Sequence, residues 1–479
     1  MNLLERNQKM QTKKWKVKIA MLCLCLGVAS TCPAKVIYVD TDAAGANDGT
    51  SWEDAYFYLQ DALMFTVAGD EIHVAQGVYR PDDFVLSDRP SLGRDETFGL
   101  INGVSLKGGY AGFGEPDPNE RDIDRYETIL TGDLNGDDGP DFANNGENSY
   151  HVVTGGATDE TTILDGFTIT RGNANGPEWY HGQGGGIDLS PDWGFTITNC
   201  TIIHNSAEGC AGGMYAGWSS CCFTIDNCRF MSNRAGSQGG GLYLTGETIP
   251  NITNCIFTGN SAVTGGAIYN YEGYPGIANC TFSGNRASDE CGGVFDLDGI
   301  SNFENCILWA NTDKDGSDES AQIAWVNPMH INFSCVQGWT GTLGGAGNID
   351  ADPCFADPGY WDPNETPEDA NDDFWVDGDY HLKSQAGRWD ANEGRWTIDD
   401  VTSPCIDAGD PMSPIGHEPF PNGGIVNMGA YGGTAEASKS YFGKPPCETI
   451  VAGDINGDCE IDFSDFFFVA LHWLENYNQ

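Results

Sequence analysis

An asparagine–cysteine pair recurs five times between residues 199 and 306, each time inside a run of β-branched or aromatic residues. The cysteines follow one another at spacings of 28, 27, 25 and 26 residues: Cys200, Cys228, Cys255, Cys280 and Cys306. A second asparagine stands five residues after each cysteine, and a Gly-Gly pair recurs in the same phase. A period this short, made of short β-type runs separated by turn residues, indicates a solenoid in which each repeat is one coil.

The runs that contain the cysteines alternate between apolar and polar residues, as in Phe195-Thr-Ile-Thr-Asn-Cys200. This alternation is typical of strands and not of helices. Every second side chain then points inward, and its counterparts in successive coils stack about 4.8 Å apart. We therefore expect the five cysteines to form one buried ladder, packed as small apolar residues and not joined by disulfides.

The polar members of the repeat predict the corners between strands. We expect each asparagine to lie at a corner, where it tolerates left-handed backbone angles and its amide can bond the amides above and below. We expect the recurring glycines to supply corners with positive φ. These glycines are Gly212, Gly239, Gly265 and Gly292.

This pattern resembles the right-handed parallel β-helix of the pectin-lyase-like superfamily. The segment from Phe257 to Gly266 is similar to the repeats of chlamydial polymorphic outer membrane proteins, and the entry segment 37–52 and closing segment 403–410 resemble secreted β-helix proteins of planctomycete-type bacteria. The resemblance implies an all-β solenoid with an N-terminal capping helix and a small C-terminal α-helical unit. The fold hosts lyases, glycosidases, esterases and non-enzymatic adhesins, so it does not fix an activity.

The ends of the chain carry their own signals. Residues 1–34 have a basic start, an apolar stretch and a small-residue end, which predicts a signal peptide too short to span a membrane. A lipoprotein anchor at Cys32 is the less favoured alternative, because Thr31 precedes it where a smaller residue is typical. We expect a secreted or extracellular protein, free or at the cell surface, with no transmembrane segment after the signal is removed.

The remaining chain divides into three parts. We predict the β-helix over 35–437, with its clearest repeats at 163–311, a linker at 438–446 and a calcium-binding unit at 447–479. Within the β-helix, residues 36–79 form an N-terminal cap that contains a helix from Trp52 to Val67. Residues 312–400 lose the repeat and predict a weaker final set of coils with loops.

The net charge of the chain disfavours polyanionic partners. The formal net charge is −47, and such a surface repels nucleic acid and anionic lipid. It also repels a polyuronate unless divalent cations bridge the two. Solubility in salty water and a calcium role are equally open explanations of the acidity.

The last segment contains a calcium loop. Oxygen-bearing side chains stand at loop positions 1, 3, 5, 9 and 12, and Glu460 offers its backbone carbonyl at position 7. The predicted Ca²⁺ ligands are Asp454, Asn456, Asp458, Glu460, Asp462 and Asp465. The loop resembles one repeat of a dockerin, which implies a cohesin-like or other cell-surface partner. Cys459 replaces the usual glycine and the second dockerin repeat is absent, so a stabilising tail is the more modest alternative.

A weaker calcium loop lies at Asp133–Asp141. Its predicted ligands are Asp133, Asn135, Asp137 and Asp141. Position 12 holds Asn144 and not a bidentate acid, so a plain Asx-rich turn is the alternative.

No complete catalytic set is visible in the sequence. A polysaccharide lyase of this fold needs calcium-binding acids beside a basic residue, and a glycosidase needs paired carboxylates. The weak catalytic candidates near the glycine corners are Asp188, Glu208, Glu290, Asp296, Asp298 and Arg171. In register they would line one strip of the shaft, but in so acidic a chain solvated surface carboxylates are the stronger alternative.

Aromatic residues recur around the same corners and predict either contact with sugars or self-stacking that stabilises the shaft. They are Trp179, Tyr180, Trp193, Tyr215, Trp218, Tyr243, Tyr269, Tyr271 and Tyr274. The sequence therefore predicts a β-helix protein that binds or degrades polysaccharide or a cell-surface glycan. A non-catalytic adhesin or surface structural protein is the alternative.

Overall fold

A computed structural model describes residues 34–441 and 463, except for 88–89, 157, 191–193, 218–221, 327–328, 365 and 367–372. Apart from Ala34 and Phe463, the predicted signal peptide and the predicted calcium-binding tail lie outside the described residues. From Val36 to Val336 the chain winds as a parallel β-helix, and each regular coil adds one strand to each of four stacked sheets. We call these sheets faces A, B, C and D. The expected all-β solenoid is confirmed.

Faces A and B pair coil with coil along the whole shaft. The strands of face A are β1 (Val36–Val39), β2 (Glu71–Ala75), β5 (Ser105–Tyr110), β8 (Ile163–Asp165), β12 (Thr196–Thr198), β16 (Thr224–Asp226), β20 (Asn251–Thr253), β24 (Gly276–Ala278), β28 (Asn302–Glu304) and β31 (His330–Asn332). The strands of face B are β3 (Gly77–Tyr79), β6 (Thr128–Thr131), β9 (Thr168–Thr170), β13 (Thr201–Ile203), β17 (Arg229–Met231), β21 (Ile256–Thr258), β25 (Thr281–Ser283), β29 (Ile307–Trp309) and β32 (Cys335–Val336).

Faces C and D complete each coil, and face D spans only the central coils. The strands of face C are β4 (Phe98–Gly99), β7 (Val153–Thr154), β11 (Ile187–Leu189), β15 (Met214–Ala216), β19 (Leu242–Thr245), β23 (Ile268–Tyr271), β27 (Val294–Leu297) and β30 (Ile323–Trp325). The strands of face D are β10 (Asn173–Ala174), β14 (Ser206–Ala207), β18 (Arg234–Ala235), β22 (Ser261–Thr264) and β26 (Arg286–Glu290).

The repeated cysteines stack inside the shaft as expected. All five are buried and free. Each thiol lies near a backbone carbonyl of the preceding coil; the Sγ of Cys228, for example, is 3.6 Å from the carbonyl oxygen of Ile197. The cysteine ladder is therefore packing and not cross-linking, in agreement with the sequence.

The sequence predicts that each asparagine both takes a left-handed backbone angle and bonds its copies. In the structure the first asparagine of each repeat does the former and the second does the latter. The asparagine before each cysteine takes the left-handed backbone angle, with φ between 50° and 56° in the five coils. The asparagine five residues after each cysteine is fully buried, and its side-chain amide donates to the amide oxygen of the next copy. From Asn205 to Asn311 these amide–amide bonds measure 2.8–3.1 Å.

The expectation that every repeated glycine has positive φ is only half right. Gly239 and Gly265 have φ of 66° and 67°, but beside Gly212 and Gly292 the left-handed residues are Ala211 and Cys291. Gly212 is required for a different reason, because a Cβ there would lie 2.4 Å from the carbonyl oxygen of Arg234 in the next coil. Close approach of two backbones, and not a left-handed angle, selects glycine at that position.

The N-terminal cap contains a much shorter helix than the predicted Trp52–Val67. The helix α1 covers only Leu59–Met64, and Leu59 and Leu63 join the main core. The backbone of Tyr56 instead bonds to Tyr38 on β1 and accepts a bond from Asp40, which draws the preceding residues into an extended path. A free strand edge therefore outcompetes helix propensity here.

The expected final coils end at Val336. A second helix, α2 (Glu319–Gln322), precedes β30, and the residues beyond β32 form antiparallel hairpins. These hairpins pair β33 (Phe355–Asp357) with β36 (Asp379–Leu382), β34 (Tyr360–Asp362) with β35 (Phe374–Val376), and β37 (Arg388–Asp390) with β38 (Arg395–Thr397). The segment after the shaft packs against the outer side of face B, where Ile256 and Ile307 join a separate core with Tyr380 and Met428.

Among the described residues, no helix is long and apolar enough to cross a membrane.

Candidate functional site

A groove of about 890 Å³ runs across several coils of the shaft. Its floor is face D, where Ala235, Ala262 and Ala287 point inward and are buried. One wall is the loop of residues 138–142, and the other is the hairpin β34–β35. The shaft thus provides the floor, and two irregular segments turn it into a groove.

Two arginines occupy equivalent outward positions on the groove floor. Strand register aligns Arg234 with Ser261, and Ser261 with Arg286, so the two arginines stand two coils apart, about 9.6 Å. Arg286 forms an ion pair with Asp373 and lies over the ring of Trp361, 4.1 Å from its centroid. The side chain of Arg234 is exposed and has no hydrogen bond or ion pair with any residue that the structure describes.

A column of left-handed corner residues borders the floor where each strand of face B ends. Its members are Arg171, His204, Ser232, Gly259, Gly284 and Ala310, with φ between 52° and 66°. Positive φ is uncommon for residues as large as arginine and histidine. At Arg171 and His204 this backbone geometry places two nitrogen-bearing side chains at the groove.

These two corner side chains affect one another. The Nη1 group of Arg171 donates to the carbonyl oxygen of Gly139 at 3.0 Å, and its Nε lies 3.9 Å from Asp138. Burial, reinforced by the positive charge of Arg171, lowers the pKa of His204 to about 4. His204 is therefore a neutral imidazole at physiological pH, next to a permanent cation.

Glycine at two corners allows the second wall to dock. A Cβ at Gly259 or Gly284 would lie about 2 Å from the indole of Trp375. The indole N–H of Trp361 donates to the carbonyl oxygen of Gly284 at 2.8 Å, and the two tryptophans pack edge to face. Aromatic surface therefore reaches the groove only because these corners carry no side chain.

Apart from Arg171 and Asp141, the groove residues were not predicted from the sequence, although a signal was present. Arg234 and Arg286 each follow the second asparagine of a repeat, in the phase that Ser206, Ser261 and Thr312 occupy in other coils. Other coils have a small polar residue at this repeat position, so an arginine there indicates a local function. The aromatic wall gave no comparable signal, because its docking on the shaft depends on contacts more than 75 residues apart in sequence.

The predicted catalytic candidates do not line one strip. Arg171 lines the groove, and Glu208 lies with Arg234 in an adjoining cavity of about 350 Å³. Asp188 points outward on face C into a separate cavity of about 330 Å³ with His151 and His181. The buried Asp296 does not lie in line with Asp188. It stands one residue further along its strand, in line with the inward-pointing Leu244.

The remaining candidates are accounted for by local structure. The carboxylate of Asp296 accepts bonds from Ser301 and from the amide of Asn270, and it is fully buried. Asp298 takes a left-handed backbone angle at an exposed corner, and Glu290 is exposed at the end of β26. Nothing in their placement brings these three acids together.

Three of the predicted aromatic residues stack in one column, whereas Tyr180 and Tyr274 are exposed. On face C, Tyr215, Tyr243, Tyr269 and Phe295 form a column with ring centroids 5.2–5.4 Å apart and nearly parallel planes. Their ring faces are therefore covered by neighbouring rings, as in the self-stacking alternative. Trp193 and Trp218 lie outside the described residues.

The structure describes the second predicted calcium loop. Asp133 closes the loop by accepting bonds from the backbone N–H groups that follow it. Asp133 groups with Asp138 and Glu147, while the side chains of Asn135, Asp137 and Asp141 are exposed. The expected set 133, 135, 137 and 141 stays a prediction.

Comparison with protein-family models supports the architecture of the shaft. A right-handed β-helix region matches residues 213–323, which run from β15 to the start of β30, and a disaggregatase-related family matches residues 342–409. The first match agrees with the predicted handedness, and neither match reaches half of the chain. No curated protein matches the chain.

Several solved structures are similar at low identity. A pectate lyase matches with 14% identity and a TM-score of 0.35, covering 84% of this chain and 97% of its own. A rhamnogalacturonan lyase matches with 13% identity and a TM-score of 0.28, covering 72% and 96%. A pectin methylesterase from Erwinia chrysanthemi matches with 10% identity and a TM-score of 0.26, covering 67% and 94%. TM-scores of this size support no inference, so the fold assignment rests on strand pairing and on the matched β-helix region.

Proposed function

We propose that this chain binds polysaccharide and that its groove takes an anionic, uronate-containing chain. The observation that carries the proposal is Arg234, an exposed cation on the floor of the groove whose side chain has no partner among the described residues. In a protein of net charge −47, an arginine that no described carboxylate pairs is available to an anionic ligand. A planar guanidinium binds a carboxylate in a bidentate manner.

The shape of the groove favours a linear polymer over a small molecule. It crosses several coils and is open along the shaft, and its aromatic wall of Trp361 and Trp375 offers apolar surface of the kind that sugar rings contact. A nucleic acid fits less well, because its affinity depends on many phosphate contacts and few cations line the groove. The net negative charge repels a polyuronate as well unless divalent cations bridge the two, so binding is measured in millimolar calcium. A polysaccharide with spaced carboxylates needs only the few cations present.

The described residues favour binding over catalysis. Arg234 and Glu208 line the same adjoining cavity and could serve as a base and an acid. The other candidate acids lie elsewhere on the shaft. Of the acids that line the groove, Asp138 lies near Arg171 and Asp373 pairs with Arg286, and Asp141 and Asp313 line it as well. If turnover is found, a polysaccharide lyase or a glycoside hydrolase is the expected class.

The test compares two arginines. Binding of the mature protein, residues 35–479, to polygalacturonate and to a neutral glucan is measured by affinity electrophoresis and calorimetry. We expect retention by the acidic polymer, and at least about tenfold weaker binding for Arg234→Gln. Arg395→Gln is the matched control, because Arg395 is an exposed arginine on β38 outside the groove.

Release of reducing ends and of unsaturated products in the same mixtures decides between binding and degradation. Release that depends on Arg234 and Glu208 would make the protein an enzyme acting in the groove. Retention without release favours the adhesin or structural role. Equal binding of the neutral glucan, or equal loss in Arg395→Gln, would remove the support for an anionic ligand.

Export and the calcium tail complete the proposal. The signal-like N-terminus supports secretion, and the loop from Asp454 to Asp465 supports a Ca²⁺-dependent tail with a cohesin-like or cell-surface partner. In wild type, calcium is expected to protect the last 30 or so residues from protease. Asp454→Ala combined with Asp458→Ala is expected to abolish this protection, and identical digestion of wild type with and without calcium would contradict a metal loop.

A further inference from the structure

Three carboxylates meet where the loop after β6 folds back on itself. Oxygen atoms of Asp133, Asp138 and Glu147 all lie within 4.8 Å of one another. Asp133 begins the loop and accepts bonds from three backbone N–H groups of the following turn at 2.6–3.2 Å. Glu147 ends a short 3-10 helix at Asn145–Glu147. The backbone path therefore concentrates negative charge at one point.

These side chains lack the donors that buried oxygens normally have. The Oδ1 atom of Asp138 and the Oε1 atom of Glu147 are shielded from solvent and accept no hydrogen bond from any described residue. The side chain of Asp138 is only 2% exposed. Beside it, Asn148 is 1% exposed and donates its amide to Asp138 at 2.7 Å, but its own Oδ1 also lacks a donor. Buried oxygens are nearly always satisfied, so three orphaned acceptors together indicate a missing positive partner.

The described residues pair less positive charge with the cluster than its three carboxylates carry. Arg171 is the cation paired with it, and its Nε lies 3.9 Å from Asp138 while its Nη1 serves Gly139. The three carboxylates repel one another, because their oxygen atoms lie within 4.8 Å. A divalent cation at the centre would relieve this repulsion and pair the orphaned oxygens.

We propose that Asp133, Asp138 and Glu147 bind a calcium ion, with the amide oxygen of Asn148 as a further ligand. Carboxylate and amide oxygens are the ligands of a hard cation, and Ca²⁺ tolerates the irregular geometry of loop ligands better than Mg²⁺ does. The set shares only Asp133 with the loop expected from the sequence. Its other acids come from the end of the turn and from the next helical segment.

The site has a structural consequence for the groove. The same loop continues into residues 138–142, which form one groove wall, and Arg171 contacts both the cluster and the groove. A bound cation would hold this wall against the shaft. The metal site itself does not depend on glycan binding and is tested separately from it.

The experiment is calcium titration by calorimetry of the mature protein carrying Asp454→Ala and Asp458→Ala, so that the tail loop does not contribute. We expect one site in this background. Adding Glu147→Gln or Asp138→Asn is expected to weaken binding at least about tenfold, since loss of even an outer partner of a metal site costs that much. Asp137→Asn removes an exposed carboxylate of the same loop and is expected to leave binding unchanged.

The remaining outcomes overturn the proposal. No calcium binding by the folded tail variant means that the acids are satisfied by a shared proton and not by a metal. Loss of binding in Asp137→Asn equal to that in Glu147→Gln would return the ligands to the sequence-predicted set. Circular dichroism checks that each variant is folded, and limited proteolysis of residues 133–148 in wild type supplies a second measurement, with calcium expected to slow cleavage.

Discussion

The tyrosine column on face C and the arginine column on face D occupy equivalent outward positions of the same coils. Tyr215, Tyr243 and Tyr269 stack ring on ring in three successive coils. On face D, Arg234 and Arg286 are separated by Ser261, so that no two guanidinium groups are adjacent. The tyrosines contact their own copies in a closed column, whereas the arginines do not contact one another.

The difference depends on whether equivalent side chains in successive coils attract or repel one another. A β-helix repeats every position about 4.8 Å along the shaft, so rings and amides that attract their copies gain a contact per coil. Charged groups repel their copies at that spacing and must be diluted or paired. Arg286 is paired with Asp373 and Trp361, and Arg234 is not paired within the described residues. Closed columns therefore stabilise the shaft, and the open position is available to a ligand.

The largest expected effect comes from breaking a closed column in the interior. Asn260 is fully buried, accepts bonds from Asn233 and donates to Asn285 and to a backbone carbonyl. Asn260→Ala leaves several of these groups unpaired, so the free energy of unfolding should fall by about 4 kcal/mol. Chemical denaturation measures it. Asn251→Ala, an exposed asparagine in the same coil, should change stability by less than about 0.5 kcal/mol; similar losses in both variants would contradict the amide ladder as a source of stability.

Breaking the tyrosine column should cost somewhat less. Tyr243 stacks between Tyr215 and Tyr269, so Tyr243→Ala removes two ring contacts and buried area. We expect a loss of about 3 kcal/mol in the free energy of unfolding. Tyr243→Phe keeps the ring and should stay near wild type. A loss in Tyr243→Phe as large as in Tyr243→Ala would place the stabilisation in the hydroxyl group and not in stacking.

The free energy of unfolding should depend on pH through His204, which lines the groove. The pKa of His204 is lowered to about 4 in the folded protein from 6.5, so between these values the unfolded chain binds more protons and the free energy of unfolding falls as pH falls. For this group alone the loss between pH 7 and pH 5 is about 2 kcal/mol. Denaturation of His204→Gln at both pH values should show a correspondingly smaller loss. His151, whose pKa burial also lowers to about 4, acts equally in both proteins; identical pH dependence in the two would contradict a buried neutral His204.

The shaft was predictable because its determinants are local and repeated. The spacing of the asparagine–cysteine pairs fixed the coil, and alternation fixed which side chains point inward, as the cysteine ladder confirms. The glycines were harder, since left-handed φ at Gly239 and backbone contact at Gly212 select the same residue for different reasons.

The groove was not predictable because its walls come from outside the repeat. The contact of Trp375 with Gly259 and Gly284 joins segments about a hundred residues apart, and no local pattern encodes it. The cluster of Asp133, Asp138 and Glu147 was missed because the turn, and not the spacing of acids, decides which oxygens meet. The calcium loop of the tail remains a prediction.

The smallest expected effect is the most informative for the arginine column. Arg234→Gln removes a side chain without a described partner, so the free energy of unfolding should change by less than about 0.5 kcal/mol even where glycan binding is lost. Arg286→Gln provides the contrast, because it breaks the ion pair with Asp373 and the contact with Trp361, at a cost of about 1–2 kcal/mol. Denaturation of both variants without ligand separates the two roles. If Arg234→Gln were as destabilising as Arg286→Gln, Arg234 would have a structural partner, and the position would count among the closed columns.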